Sequence, residues 1–411
     1  MVFNNLLHLV DLDFLEEAYR LTNKRSGAGV DKVTAEEYAE NLIPNLTDLH
    51  QRLKDNRYVA PPVERVWIDK EGGKKRPIGK PCFEDKVVQR AVVMLLEVIY
   101  DRTFHGFSHG FRKGHSQHQA LRELRELCWQ TNVGWIVDAD VSGFFDNISH
   151  TLLQDLIKQK INDGGILRLI GKWLHAGVVE AGTLSYPEMG TPQGGVISPM
   201  LANIFLHYVL DDWFTNVVRP RMKGRCFIIR FADDFIIGCE LETDAKRVMS
   251  VIPKRFNRFD LTIHPDKTVM VKFKRPAKAV KTKEGNSTFD FLGFTHYWTK
   301  SLRGYWVIKR KTIGKRLRRF MKAMWQWCRK NRHEPLKEQY SSLCSKLRGY
   351  YQYYGVRCNY KALETVYEYA HFAWRYWLSR RCHKGYINLD KFAKSILSEH
   401  SLPKPRIVHN F

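Results

Sequence analysis

The chain has 411 residues, enough for a large core and more than one domain. An apolar fraction of 44% with 13% aromatics excludes a disordered chain. Its 67 Lys and Arg against 43 Asp and Glu give a net charge of +24, which argues against a basic partner and for a polyanion, most simply nucleic acid. The plainer alternative is a solubilising positive surface, but the excess is uneven. Residues 301–411 carry 25 basic and 6 acidic side chains, whereas residues 1–300 carry 42 and 37. The eight cysteines are scattered singly with no CxxC pair, so neither a zinc site nor a disulfide framework is indicated. The first twenty residues lack a basic stretch before an apolar run, and no segment approaches the roughly 20 apolar residues of a membrane span. A soluble, intracellular protein with reduced thiols is expected.

Residues 1–60 read as amphipathic helices broken at "SGAGVD" (26–31). "VERVWIDKEGGKKRPIG" (63–79) reads as strand, Gly-Gly turn and strand. A helix over about 83–100 follows, with Val87, Val88, Ala91, Leu95 and Val98 on one stripe. "WIVDADVSGFFD" (135–146) is a buried strand running into a turn, and helices cover about 150–176 and 197–215. "FIIRFADDFIIG" (227–238) is a strand–turn–strand hairpin, and 256–273 adds strand character. A basic loop spans 272–288, and "FDFLGFTHYW" (289–298) returns to strand. After about residue 300 the pattern turns helical, with Ile313, Leu317, Phe320, Met324 and Trp327 at 4, 3, 4, 3 spacing. The boundary between a mixed body and a basic helical module is expected near there.

The chemistry begins at Asp233 and Asp234, adjacent carboxylates inside a greasy hairpin. An ordinary hairpin tip facing water accounts for such a pair by itself. Asp140, at the end of a second apolar strand, shifts the balance. Strands side by side would bring three carboxylates together, where they must protonate unless divalent cations bridge them. Mg²⁺ suits hard oxygen ligands and substrate phosphates, and a pair of ions can serve both the attacking and the leaving oxygen. Asp138 and Asp146 are competing carboxylates close by.

"DADVSGFFDNISH", "GTPQGGVISPMLANIFLHYVLD" and "RFADD" resemble the central motifs of reverse transcriptases encoded by bacterial group II introns. "KKRPIGKPCFEDKVVQRAVVMLLEVIY" and "FSHGFRKGHSQHQAL" resemble that family's finger motifs, "LTIHPDKT" and "FDFLGFTHYW" its later palm motifs, and "KLRGYYQYYGV" its thumb or maturase segment. The similarity runs almost end to end, with the motifs in the family's order.

The resemblance implies an α+β right-hand polymerase: a helical extension (1–62), fingers (63–135), a palm with an antiparallel sheet (136–299) and an all-helical basic thumb or maturase domain (300–411). It implies RNA-directed DNA synthesis from dNTPs with two Mg²⁺ ions, Mn²⁺ substituting. Partners would be an RNA template and a DNA primer or target, in a cytoplasmic ribonucleoprotein. It selects Asp140 over Asp138 as metal ligand beside Asp233 and Asp234, with the Val141 carbonyl as a further oxygen. It makes Phe145 the gate under the incoming sugar, and puts Lys70, Arg76, Gln193 and Lys267 at the nucleotide. Arg112, Lys113, Gly293, Lys346 and Arg348 fall at the template and primer. Tyr350, Tyr351, Tyr353 and Tyr354 interleave with these cations, although tyrosines at such spacing also pack helical cores.

Two departures stand out. Phe231 replaces the family's usual tyrosine, and no Cys-rich nuclease segment of the His-Asn-His type is seen. Two further readings share the motifs: an RNA-binding splicing factor with little polymerase activity, and a domesticated polymerase, for example in phage defence, copying a dedicated non-coding RNA.

Overall fold

The computed structural model describes residues 1–69, 75–180, 182–186, 188–191, 194–277, 287–382 and 385–411. These divide into two compact units. The first comprises Met1–Glu123 with Trp135–Met270, and the second comprises Leu124–Gly134 with Val271–Phe411. The chain therefore leaves the first unit, contributes eleven residues to the second, and returns.

In the first unit, α1 (Leu12–Leu21), α2 (Ala35–Glu40) and α3 (Leu42–Lys54) form the amphipathic start. Thr34 opens α2 with a capping box, its hydroxyl accepting from Glu37 N while the Glu37 carboxylate accepts from Thr34 N. Strands β1 (Val63–Asp69) and β2 (Lys75–Lys80) pair antiparallel, with Ile68 opposite Arg76. The expected Gly-Gly turn between them lies outside the described residues. Helix α4 (Phe83–Tyr100) is buried on nearly every side, and Val87, Val88, Ala91 and Leu95 lie in the core as expected. Val98, expected on the same stripe, is 70% exposed. It stands three residues beyond Leu95, where the core has already moved to the Leu96 and Tyr100 side of the helix.

Helix α5 (Gln117–Gln130) leads to β3 (Trp135–Ala139). The expected helix over 150–176 is two helices, α6 (His150–Lys158) and α7 (Gly164–Leu174). Asp163 makes the break by capping α7, its carboxylate accepting from Ile166 N and also from Leu6 N and Leu7 N. Short strands β4 (Val178–Glu180) and β5 (Thr183–Ser185) extend the first sheet in the order β2-β1-β4-β5. Helix α8 (Ser198–Leu206) continues through two π-helical segments, His207–Asp211 and Phe214–Val218. The expected hairpin is β6 (Cys226–Phe231) and β7 (Asp234–Cys239), followed by α9 (Glu242–Asn257). With β8 (Val269–Lys272) these strands form a sheet of order β6-β7-β3-β8. Strand character over 256–273 is thus confined to β8 and a bridge at Ile263.

The second unit has its own sheet, β9 (Phe289–Phe291), β10 (Phe294–Lys300) and β11 (Trp306–Thr312), in the order β11-β10-β9. Helices α10 (Gly314–Lys330), α11 (Leu336–Tyr354), α12 (Tyr360–Leu378) and the short α13 (Leu389–Phe392) follow. Helical structure thus begins at 314, after a strand the sequence reading did not anticipate. In β11, Trp306, Ile308, Arg310 and Thr312 are buried and alternate with more exposed residues. The buried arginine hides that period of two. Met324, Leu343, Leu347, Leu363, Val366 and Trp374 form a core separate from that of the first unit. Among the described residues no helix is long and apolar enough to cross a membrane.

Candidate active site

Strand β7 is the centre of the site, paired antiparallel with β6 on one side and β3 on the other. Ile228, Ile229, Ile236, Ile237, Ile136 and Val137 are all buried, so both faces of the sheet are covered and the strands are held rigidly. The β3–β7 ladder ends at Ala139 opposite Phe235. One step further along the same register lie Asp140 and Asp234. The β6–β7 ladder ends at Phe231 opposite Asp234, so Ala232 and Asp233 form a two-residue turn. Asp140, Asp233 and Asp234 therefore occupy one end of one sheet. Asp138 pairs in register with Ile236, two residues back from that end.

The backbone around Asp140 is clamped. Its carbonyl accepts from His264 N at 2.8 Å, Ser142 N donates to Thr262 O at 2.8 Å, and Val141 forms a bridge with Ile263. The turn that follows returns Lys267, whose ammonium lies 2.5 Å from Asp140 Oδ2. One carboxylate oxygen thus already carries a cation. Three carboxylate-bearing residues at neighbouring positions of one strand end are oxygen donors of the type Mg²⁺ takes.

Phe145 lies in a single 3₁₀ turn, 144–146, and is 9% exposed. Its carbonyl accepts from Thr191 N at 2.7 Å, which fixes the approach to the "GTPQGG" stretch. Gly194 has φ +115°, and a Cβ there would stand 2.4 Å from Gly79 O. Only glycine fits at position 194 beside the end of β2. Arg76 is exposed on β2. Lys70 and Gln193 lie outside the described residues.

A polar network that the sequence reading missed supports the Ala232–Asp233 turn. Arg230 on β6 is fully buried, and its Nε and Nη2 donate to the two carboxylate oxygens of Asp211 at 2.8 and 2.5 Å. Its Nη1 donates to Asn203 Oδ1 and to the carbonyl of Ala232, both at 2.9 Å. Asn203 Nδ2 donates to Gly110 O at 2.8 Å, and a Cβ on Gly110 would lie 2.1 Å from Ala232 N. Ala232 itself has φ +58°, an uncommon conformation for a residue with a side chain. A bidentate ion pair, an amide and a tight glycine contact together hold the turn that presents Asp233 and Asp234. Two signals for it were present in the sequence: an arginine inside "FIIRF", and a second Asp-Asp inside the apolar "HYVLDDWF".

Residues 68–296 match the family model for reverse transcriptase (RNA-dependent DNA polymerase). The chain belongs to the reverse transcriptase family. The chain is 38% identical to Protein YkfC of Escherichia coli (strain K12) over 269 residues, 57% of this chain and 71% of YkfC. It is 41% identical to the group II intron-encoded protein LtrA of Lactococcus lactis subsp. cremoris over 227 residues, 54% of this chain but 36% of LtrA. Nuclear intron maturase 1 of Arabidopsis thaliana is 29% identical over 126 residues, 28% of this chain and 17% of that protein. The chain fits the group II intron reverse transcriptase and maturase group, and its mixed α/β fold with antiparallel sheets is consistent with a reverse transcriptase fold.

The remaining expected residues are placed as follows. Arg112 turns inward: its side chain is 6% exposed, Nε donates to Asp101 Oδ1, and Nη1 donates to the His105 and Ser108 carbonyls, each at 2.8 Å. It braces its own loop, and Lys113 is the exposed cation of that pair. Nearby, His105 and His207 both approach the Asp212 carboxylate, His105 Nε2 at 2.8 Å. The three atoms lie within 4.8 Å of one another, and the buried His207 Nδ1 has no hydrogen-bond partner among the described residues. In the second unit Gly293 has φ +84° and lies against the Tyr354 hydroxyl and the Arg316 guanidinium. Lys346 and Arg348 are exposed on α11. Of the four neighbouring tyrosines, Tyr350 and Tyr351 are buried in the helical core, and the Tyr353 hydroxyl donates to Leu292 O at 2.8 Å.

Proposed function

We propose that this chain is an RNA-directed DNA polymerase of the group II intron type, adding dNTPs to a primer 3′-OH on an RNA template. What supports the reading is the β3–β7 register, which ends at Ala139 opposite Phe235, one residue short of Asp140 and Asp234, within a family match over residues 68–296. Asp140, Asp233 and Asp234, with the Val141 carbonyl, would hold two Mg²⁺ ions, for which Mn²⁺ can substitute. When bound, the metal supplies charge stabilisation for the attacking hydroxyl and the leaving pyrophosphate. Phe145 closes the floor beneath the incoming sugar and disfavours a 2′-OH. Lys70, Arg76 and Gln193 hold the triphosphate and base, and Lys267 carries a proton at Nζ toward the departing pyrophosphate. Lys113 meets the template backbone, while Gly293, Lys346 and Arg348 face primer and template.

In this reading residues 1–62 and 63–135 form the fingers with their extension, 136–299 the palm, and 300–411 the thumb or maturase domain. The basic second unit also binds structured RNA, assisting splicing and retrohoming. The test is extension of a DNA primer on an RNA template with Mg²⁺. The wild type incorporates dNTPs, chelation stops it, and replacing Asp233 and Asp234 by Ala abolishes it. A wild-type chain that incorporates nothing with metal supplied overturns the reading.

A further inference from the structure

The second unit contains a cavity of about 610 Å³ lined by five cations: Arg125 of α5, Arg303 of the β10–β11 turn, Lys309 and Arg310 of β11, and Arg357 after α11. Among the described residues no carboxylate side chain lines it. Among the described residues Arg125, Arg303, Lys309 and Arg357 make no ion pair, although ion pairs are common elsewhere in the chain. Arg310 is 2% exposed, stacks its guanidinium 4.5 Å over the Phe411 ring and donates from Nη2 to Phe411 O at 2.7 Å. That oxygen answers at most one of the five charges. Burial, with Arg125 adding to it, depresses Arg310 to about 10, so it remains charged near neutral pH. Assembling Arg125, Arg303, Lys309 and Arg357 with no ion pair among the described residues is unfavourable in the free protein, and an arriving anion relieves it.

The cavity has an aromatic neighbour. A second hollow of about 400 Å³ shares Arg125, Val307 and Ile308 with it and is flanked by Trp129, Glu126 and Gln130. Trp129 is 51% exposed, and the Arg275 guanidinium lies 4.6 Å over its ring. Phosphates gathered by arginines beside an indole and a guanidinium plane is how proteins hold strands whose bases are not paired. A duplex keeps its bases inside and offers nothing for Trp129 to stack on.

We propose that the second unit carries its own site for an unpaired nucleic-acid strand, with phosphates in the Arg125–Arg303–Lys309–Arg310–Arg357 cavity and a base against Trp129. The site rests on the nucleic-acid reading above and adds to it residues on which that reading makes no claim.

The test measures binding of the full chain to a labelled unpaired RNA, the DNA of the same sequence and a duplex, across a salt series. Arg303→Ala combined with Arg357→Ala removes two exposed cations, so folding is not at issue. The slope of log affinity against log salt should flatten by about 1.4, at about 0.7 per phosphate contact on a single strand. Trp129→Ala should weaken unpaired-strand binding about five- to 150-fold while leaving that slope unchanged. Lys158→Ala combined with Arg20→Ala, two exposed cations in the first unit, serves as the equal-charge control.

Loss on the RNA arm alone assigns the strand as RNA, and loss on the DNA arm alone as DNA; either outcome supports the site. Variants no different from the control overturn it. So does full displacement of the strand by inorganic phosphate with Trp129→Ala silent, which would reduce the cavity to a small-anion site. A wild type that binds strands but extends no primer sinks the polymerase reading and leaves this site standing.

Discussion

Asp85 is a carboxylate almost without water, 2% exposed in the middle of α4. The Tyr58 hydroxyl and Trp173 Nε1 donate to its Oδ1, and Gln89 Nε2 donates to Oδ2 at 2.8 Å. Burial pushes its acid up to about 6, against the pull of those three donors. An acid raised on folding binds its proton more tightly in the native state. Its contribution to stability is therefore complete below the unfolded value near 4 and is lost as pH rises through 6. Denaturant titrations from pH 4 to 8 should show this downward slope in the wild type and a flatter profile in Asp85→Asn. A polar residue in an apolar helix was readable in the sequence, but the three donors that converge on it come from distant segments. The same limit applies to Arg112, whose bonds to Asp101 and two carbonyls were not readable from the string of residues. Residue type was legible there, and direction was not.

At the scale of elements, the π-helical stretch His207–Asp211 decides how Asp211 meets Arg230. Residues eight apart on a straight α-helix diverge by about 80°. Wider π turns reduce that divergence, so Asn203 and Asp211 reach the same guanidinium. Arg255 supports the distorted backbone by donating to the Tyr208 and Val209 carbonyls at 3.0 and 2.9 Å. Asp211→Ala strands a buried charge and should lower stability by about 3–5 kcal/mol, seen as a lower urea midpoint. Replacing Arg230 by Met together with Asp211 by Leu should recover much of that stability. Primer extension should stay depressed, because the Ala232 carbonyl has lost its donor. Recovery of both would show the network to be structural only. Local periodicity made α4, β3, the β6–β7 hairpin and the α10 stripe legible. It gave no sign of the π turns, which depend on tertiary partners, or of β11, where a buried arginine breaks the apolar alternation.

For the molecule as a whole, the order of the motifs was readable because each is a short continuous string. The return path of the chain was not. Leu124–Gly134 belongs to the second unit although it precedes β3, and it is tied there by Phe273 N donating to Gly134 O at 2.8 Å and by Trp129 beside Trp298. The exposed Lys274–Arg275 bond offers trypsin a cleavage point just past the second crossing, whereas the Arg275–Pro276 bond resists it. Cleavage there should give two fragments that co-elute under native conditions and separate only in denaturant; early release of the C-terminal piece would contradict the assignment of 124–134. The threading also bears on how such proteins diversify. A recombination event near position 270 would graft a C-terminal half onto another parent's 124–134, so viable chimaeras should inherit both stretches from a single ancestor.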